Sequence, residues 1–200
     1  KRQVVMLKDR VLGVVGCGTV GTAIVKSYVE HVKQVHVYDV DPTKSTTTLG
    51  GLLFAECDVV MLCLPTPGDP TTKQLDTSIL DHFFLTMNIA ARERNRFVIR
   101  STVPVGYTEK ISKTYKVDIC HSPEFLTARC AFLDAMMPTA NFVGRTFGCN
   151  YTPFSAAYKL LNLYRERFPQ VPVQVMTSET SEFLKLMKNA YFASKISLFN

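Results

Sequence analysis

One carboxylate, Glu124, follows a proline inside an apolar stretch, HSPEFL (121–126). A glutamate among Pro, Phe and Leu is costly unless something nearby uses its charge or its proton. Farther along, TSEFLKLMKNAYFASKIS (180–197) places Lys185 and Asn189 four residues apart. On a helix both side chains leave one face a turn apart. A cation and an amide donor so placed suit an alkoxide or a tetrahedral oxyanion, and a carboxylate only partly reached by water suits proton exchange. The plainer alternatives are a helix-start acid held by the helix dipole, two solvated helix positions, and, for Thr102, a capping or turn hydroxyl. His121 adjoins Ser122, but no nucleophile elbow accompanies them, which argues against a Ser/His hydrolase. His31, His36 and His82 read as surface or packing residues.

A second constellation is GCGTVG (16–21). It follows an apolar strand-like run, VLGVV (11–15), and opens a helical pattern, the context that gives such a loop meaning. Gly16 permits the tight turn, Gly18 lets backbone approach a pyrophosphate, and Gly21 lets the helix lie close to the strand. The N–H groups around Thr19 and Val20 would face the phosphates. Asp39, 18 residues past Gly21, ends the next strand, where its carboxylate would bind the ribose hydroxyls and repel a 2′-phosphate. The one base close behind it is Lys44. The expectation is NAD, not NADP.

These residues need a scaffold, and the chain alternates strand, turn and helix. Expected strands are 11–15, 34–39, 58–65, 96–101, 117–122, 141–145 and 171–176. A helix is expected to follow the glycine loop to about residue 32, with others over 52–56, 75–94, 107–115, 127–136, 155–168 and 178–200. The alternation predicts an α/β fold of Rossmann type: a doubly wound, mainly parallel sheet with helices on both faces, followed by a long helix. Ligands of such sheets lie at the carboxyl ends of the strands. The organisation reads as a cofactor domain over 1–177 and the start of a connecting helix over 178–200.

The 200 residues carry 46% hydrophobic and 20% charged side chains, a globular composition. No apolar run approaches the roughly 20 residues of a membrane span. The six cysteines (17, 57, 63, 120, 130, 149) form no CxxC and no cluster with histidine, so a metal site is not expected and reduced thiols in the cytoplasm are. The net charge of +6 suits an anionic small molecule. Its bases are dispersed, without the aromatic interleaving of a nucleic-acid surface.

Five further stretches stand in a recognisable order after GCGTVG: VYDVD (37–41), CLPTP (63–67), STVPVG (101–106), SPEFL (122–126) and the 180–197 helix. Together they resemble the NAD-binding half of the UDP-glucose/GDP-mannose dehydrogenase family, most of all its compact, phage-type members, over essentially the whole chain. The resemblance implies an NAD-dependent oxidation of a nucleotide sugar, UDP-glucose to UDP-glucuronate. It puts Leu64, Pro65 and Thr66 beside the ribose and nicotinamide. Ser101 would belong to the cofactor site, and Thr102 would stand by the nicotinamide and hold a catalytic water. Glu124 becomes the acid/base acting through that water, and Phe125, Leu126 and Thr127 line the sugar-nucleotide site. Lys185 and Asn189 would stand at the reacting carbon.

The chain departs from that pattern in three places. The family's thiohemiacetal cysteine sits in a glycine-rich loop after the long helix, and none of the six cysteines has that setting. Thr127, Ala128 and Arg129 stand where a second carboxylate is usual. Only a short stretch separates Asp39 from Asp58. The expectation is therefore a cofactor half, inactive alone, that dimerises through 178–200. A stand-alone NAD-binding module and a β-hydroxyacid dehydrogenase-like enzyme are the alternatives. In the last helix, Phe183, Leu186, Met187, Ala190 and Ser194 form an apolar stripe, expected to be the packed side.

Overall fold

A computed structural model describes residues 6–127, 129–147 and 152–199; Ala128, Cys149 and Asn200, cited above, lie outside them. Seven strands form one sheet: β1 (Val11–Val15), β2 (Gln34–Tyr38), β3 (Val59–Leu62), β4 (Arg96–Ile99), β5 (Asp118–His121), β6 (Asn141–Arg145) and β7 (Val173–Thr177). Their order is β2-β1-β3-β4-β5-β6-β7, and only the β5/β6 pair is antiparallel. The chain reverses direction across the sheet between β1 and β3, and a crevice at their carboxyl ends is where such folds bind ligands.

Helices α1 (Thr19–Tyr28), α2 (Leu49–Phe54), α3 (Ser78–Thr86), α4 (Ile89–Arg94), α5 (Tyr107–Tyr115), α6 (Ala131–Met136), α7 (Ala156–Arg167) and α8 (Ser178–Phe199) complete the fold. The strands bury both faces by alternation. Val60 and Leu62 join Leu52, Phe84 and Ile111 on one side, and Val59 and Met61 join Ile24, Leu160 and Tyr164 on the other. This two-sided burial explains why the strand sequences are nearly continuous apolar runs.

Three expectations need correction. The helix expected over 75–94 is two helices. Met87 is extended (ψ 133°), and the Asn88 side chain accepts from the Ala91 N–H at 2.8 Å, starting α4 afresh. The helix expected from Thr127 starts at Ala131, because the Thr127 N–H is held by Asp134 Oδ2 at 2.8 Å.

The third concerns α8. Its buried residues are Ser178, Ser181, Glu182 and Lys185, whereas Phe183 is 54% and Met187 50% exposed. The small and polar side is the packed one. Gly144 in β6 makes room for it: a Cβ there would lie 2.5 Å from the Ser181 Cβ. Glu182 then reaches α5, where it accepts from the Gly106 N–H at 2.6 Å and the Thr108 N–H at 2.8 Å.

Candidate functional site

At the crest of β1, Gly16 has φ 89°, and a Cβ on it would lie 2.6 Å from the Cys63 carbonyl oxygen. Only glycine accepts both constraints. A Cβ on Gly21 would strike the Gly16 carbonyl at 1.9 Å, so α1 starts hard against the turn. A Cβ on Gly18 would meet nothing within 4 Å, and no side chain caps α1. The result is an open backbone shelf and a helix start at Thr19 and Val20 with unclaimed N–H groups, the arrangement that receives phosphates.

Asp39 closes one end of this shelf. Its Oδ2 accepts from the Cys17 N–H at 2.5 Å and its Oδ1 from the Asp41 N–H at 2.9 Å. These backbone bonds hold the carboxyl below the usual aspartate range. Each oxygen keeps lone pairs for ribose hydroxyls. Lys44 lies 3.5 Å from Asp41, and both side chains are exposed. The open turn, the uncapped helix start and the charged Asp39 fit a dinucleotide.

The ends of β3 and β4 are tied together beyond the turn. Ser101 Oγ donates to the Leu64 carbonyl at 2.5 Å, and Thr66 Oγ1 donates to the Thr102 carbonyl at 2.6 Å. Pro65 stands between the two ties. The segments 64–66 and 101–102 therefore form one rim.

Past β5, Glu124 meets Lys185. The Lys185 Nζ is 2.7 Å from Glu124 Oε1 and donates to the Glu124 carbonyl at 2.5 Å. The Leu126 N–H donates to Oε2 at 2.8 Å. The side chains are 7% and 13% exposed, so the pair is largely withdrawn from water yet reachable. Phe125 lies beneath the lysines, with Lys188 Nζ 3.7 Å and Lys185 Nζ 5.5 Å from its ring centre. Burial, then repulsion by Lys185, lowers the Lys188 pKa. Phe125, Leu126 and Thr127 line a cavity of about 540 Å³. Asn189 follows one turn after Lys185 and is exposed.

Under this pair, His121 is fully buried with Nδ1 2.8 Å from Ser181 Oγ. Burial pushes its pKa down to about 3, leaving a neutral ring that braces α8.

Three residues near the site had no assigned role in the sequence: Glu182, Arg100 and Lys188. Glu182 and Lys188 stand three residues on either side of Lys185, which is a readable signal, because i±3 positions share a helix face. Arg100 directly follows β4 and precedes STVPVG. Its Nη1 donates to Ser122 Oγ at 2.6 Å and to Tyr164 OH at 2.7 Å. Nothing local in the sequence marks that pairing, since Tyr164 comes from α7.

Comparison with known proteins places this geometry. Residues 45–161 match the model of the UDP-glucose/GDP-mannose dehydrogenase family, NAD binding domain. A UDP-glucose 6-dehydrogenase from Campylobacter jejuni is 26% identical over 184 residues, 88% of this chain and 42% of that protein. The enzyme of the same name from Streptococcus pneumoniae is 27% identical over 151 residues, 74% of this chain and 38% of its own length. The structure of a GDP-mannose dehydrogenase from Pseudomonas aeruginosa superposes with TM-score 0.73 at 23% identity, over 94% of this chain and 51% of that one. The chain thus spans about half, or less, of the proteins it matches.

Proposed function

The chain belongs to the UDP-glucose/GDP-mannose dehydrogenase family and its cofactor is NAD; on that premise we propose that it supplies the cofactor half of an enzyme oxidising UDP-glucose at C6 to UDP-glucuronate. The relatives carry the names of several sugars, and UDP-glucose is the reading taken from two of them. The observation that carries the reading is the Lys185–Glu124 pair, 2.7 Å apart, beside a rim built from 64–66 and 101–102.

Bound NAD supplies the hydride acceptor. The protein's own residues handle the charge and the protons. Glu124 Oε1 takes the proton that leaves the sugar hydroxyl, relayed by a water that Thr102 helps to hold. The Lys185 ammonium, freed from Oε1 as that proton arrives, stabilises the oxygen that becomes negative, and Asn189 offers a second donor from the same helix face. Phe125, Leu126 and Thr127 present the wall against which the sugar nucleotide rests. Leu64, Pro65, Thr66, Ser101 and Thr102 keep the nicotinamide side level. Oxidation to the acid also needs a thiol to hold the aldehyde stage covalently. The resemblance puts that thiol in a glycine-rich loop after the long helix, and the cysteines at 17, 57, 63, 120 and 130 all precede α8. On this reading the 200 residues alone bind cofactor without sustained turnover. They would work in the cytoplasm, as a homodimer joined along α8.

Saturation-transfer NMR with UDP-glucose and NADH tests the reading. The expected result is transfer to the C6 protons that is lost in Lys185→Met while NADH still binds. Absence of transfer to UDP-glucose in the NADH-loaded wild type overturns it.

A further inference from the structure

Lys188 follows Lys185 by three residues, roughly 4.5 Å along α8, and carries no step of the proposed reaction. Its Nζ lies 3.7 Å from the Phe125 ring centre, and the Lys185 Nζ lies 5.5 Å from the same ring. The two ammonium groups therefore gather over one side chain of the 123–127 loop. Lys188 also faces the cavity that Phe125, Leu126 and Thr127 line, the place assigned above to the sugar nucleotide. An aromatic face attracts an ammonium group only weakly at an accessible site, so Phe125 positions this cation without neutralising it.

The charge of Lys188 is only partly answered by the protein. Its attraction comes from Glu124, while burial and repulsion by Lys185 act against it. Glu124 is already engaged: Oε1 by Lys185 at 2.7 Å and Oε2 by the Leu126 N–H at 2.8 Å. Asp134, the other acid on the cavity wall, accepts the Thr127 N–H and hydroxyl. One carboxylate thus serves two ammonium groups, and Lys185 has the direct contact. The proposed reaction sharpens this imbalance, because Glu124 becomes neutral as it takes the proton. An anion brought by the substrate then balances Lys188.

We propose that Lys188 is a specificity-determining residue of this site, binding the sugar-side phosphate of the nucleotide sugar while Lys185 serves the reacting alcohol. In such a substrate the alcohol carbon and the nearer phosphate stand at opposite sides of one sugar ring. Two lysines one helical turn apart over Phe125 match that spacing, the first at the carbon and the second at the phosphate. An ammonium group offers three donors to a phosphate oxygen, and such charged hydrogen bonds are the strong ones. Lys188 then selects sugars that carry a phosphate at the anomeric carbon and fixes which end of the sugar reaches Glu124. The assignment rests on the proposed function and deepens it.

Titration of the NADH-loaded chain with UDP-glucose, followed by calorimetry and phosphorus NMR, tests it. UDP-glucose gives separate phosphorus signals for its sugar-side and uridine-side phosphates. In the wild type the sugar-side signal should shift on binding. Lys188→Met should weaken UDP-glucose about tenfold or more, as expected for losing a charged hydrogen bond, and should abolish that shift. NADH affinity should be equal in the two proteins and serves as the control for folding. UDP-glucose binding to the wild type without a shift of the sugar-side signal overturns the role of Lys188 and leaves the proposed function standing. Equal UDP-glucose affinity in a Lys188→Met that binds NADH does the same. No binding of UDP-glucose by the wild type overturns the proposed function and this assignment with it. The wild-type signal needs no variant, so it decides the matter even if Lys188→Met does not fold.

Discussion

Glu182 and Thr108 bind each other across the junction of α8 and α5: Glu182 Oε1 accepts both the Thr108 N–H, at 2.8 Å, and its hydroxyl, at 2.5 Å. The other oxygen takes the Gly106 N–H at 2.6 Å, and the carboxylate is fully buried. The helix that carries Lys185 is therefore pinned to the loop that follows Thr102. Burial raises the Glu182 pKa, so the three donors are what keep a carboxyl tolerable there. Glu182→Gln points an N–H₂ group at N–H donors and should cost about 2–3 kcal/mol of stability. Thr108→Val should cost about 1 kcal/mol, and the double variant less than the sum, because the two share a bond. Urea unfolding of the four proteins checks this, and strict additivity would show that the contact is not formed.

His121 predicts an acid limit to stability. Its folded pKa, about 3, lies below the 6.5 of an ordinary histidine because the ring is buried. A lowered folded pKa means that the unfolded chain binds the extra proton first. The stability is present in full above pH 6.5 and is lost as pH falls from there towards 3. The slope from this group is about 1.4 kcal/mol per pH unit within that window. Urea midpoints from pH 7.5 to 4.5 should fall more steeply in the wild type than in His121→Gln. Parallel profiles would remove His121 as the cause.

Asp39 should set cofactor choice. Its two oxygens are already oriented by the N–H groups of Cys17 and Asp41, which holds the carboxylate ionised and aimed at the shelf. NAD should bind well ahead of NADP. Asp39→Ala should weaken NAD about tenfold or more, as expected for losing charged hydrogen bonds to the ribose, and narrow the gap to NADP. Calorimetric titration of both cofactors measures it; an unchanged preference in the variant would place the selectivity elsewhere.

Much of this arrangement was legible in the residues. The turn at Gly16–Gly21, the acid at Asp39 and the buried strands carry strong local signals, since glycine spacing and continuous apolar runs have few other uses. Lys185 and Asn189 were readable as one helix face. What stayed hidden depends on partners far away in the chain. The capping by Asn88 that splits α3 from α4 competes with a helical pattern continuing on both sides. The packed side of α8 was misread because apolar residues usually face inward. Here Gly144 leaves room for Ser181, and the Glu182 carboxylate finds N–H donors on α5, so the polar side won. Arg100 lies next to a recognisable motif, yet its partners Ser122 and Tyr164 come from β5's end and α7.

The outward side of α8 carries the last prediction. Phe183, Met187, Tyr191, Phe192, Ile196, Leu198 and Phe199 are each about half or more exposed. From Asn189 to Phe199 every residue is exposed, so two to three turns of helix stand clear of the body with aromatic and aliphatic side chains outward. A patch of this kind on one helix drives association, and a second copy of the same helix offers a matching surface related by twofold symmetry. The polar side, with Lys185 on Glu124, stays with its own protomer, so dimerisation need not disturb the pair. Light scattering at micromolar concentration should therefore give a dimer. Phe192→Glu with Ile196→Glu should give a monomer whose NAD affinity is unchanged, since neither residue approaches the shelf. A wild type that remains monomeric at that concentration would rule out a stable dimer through α8.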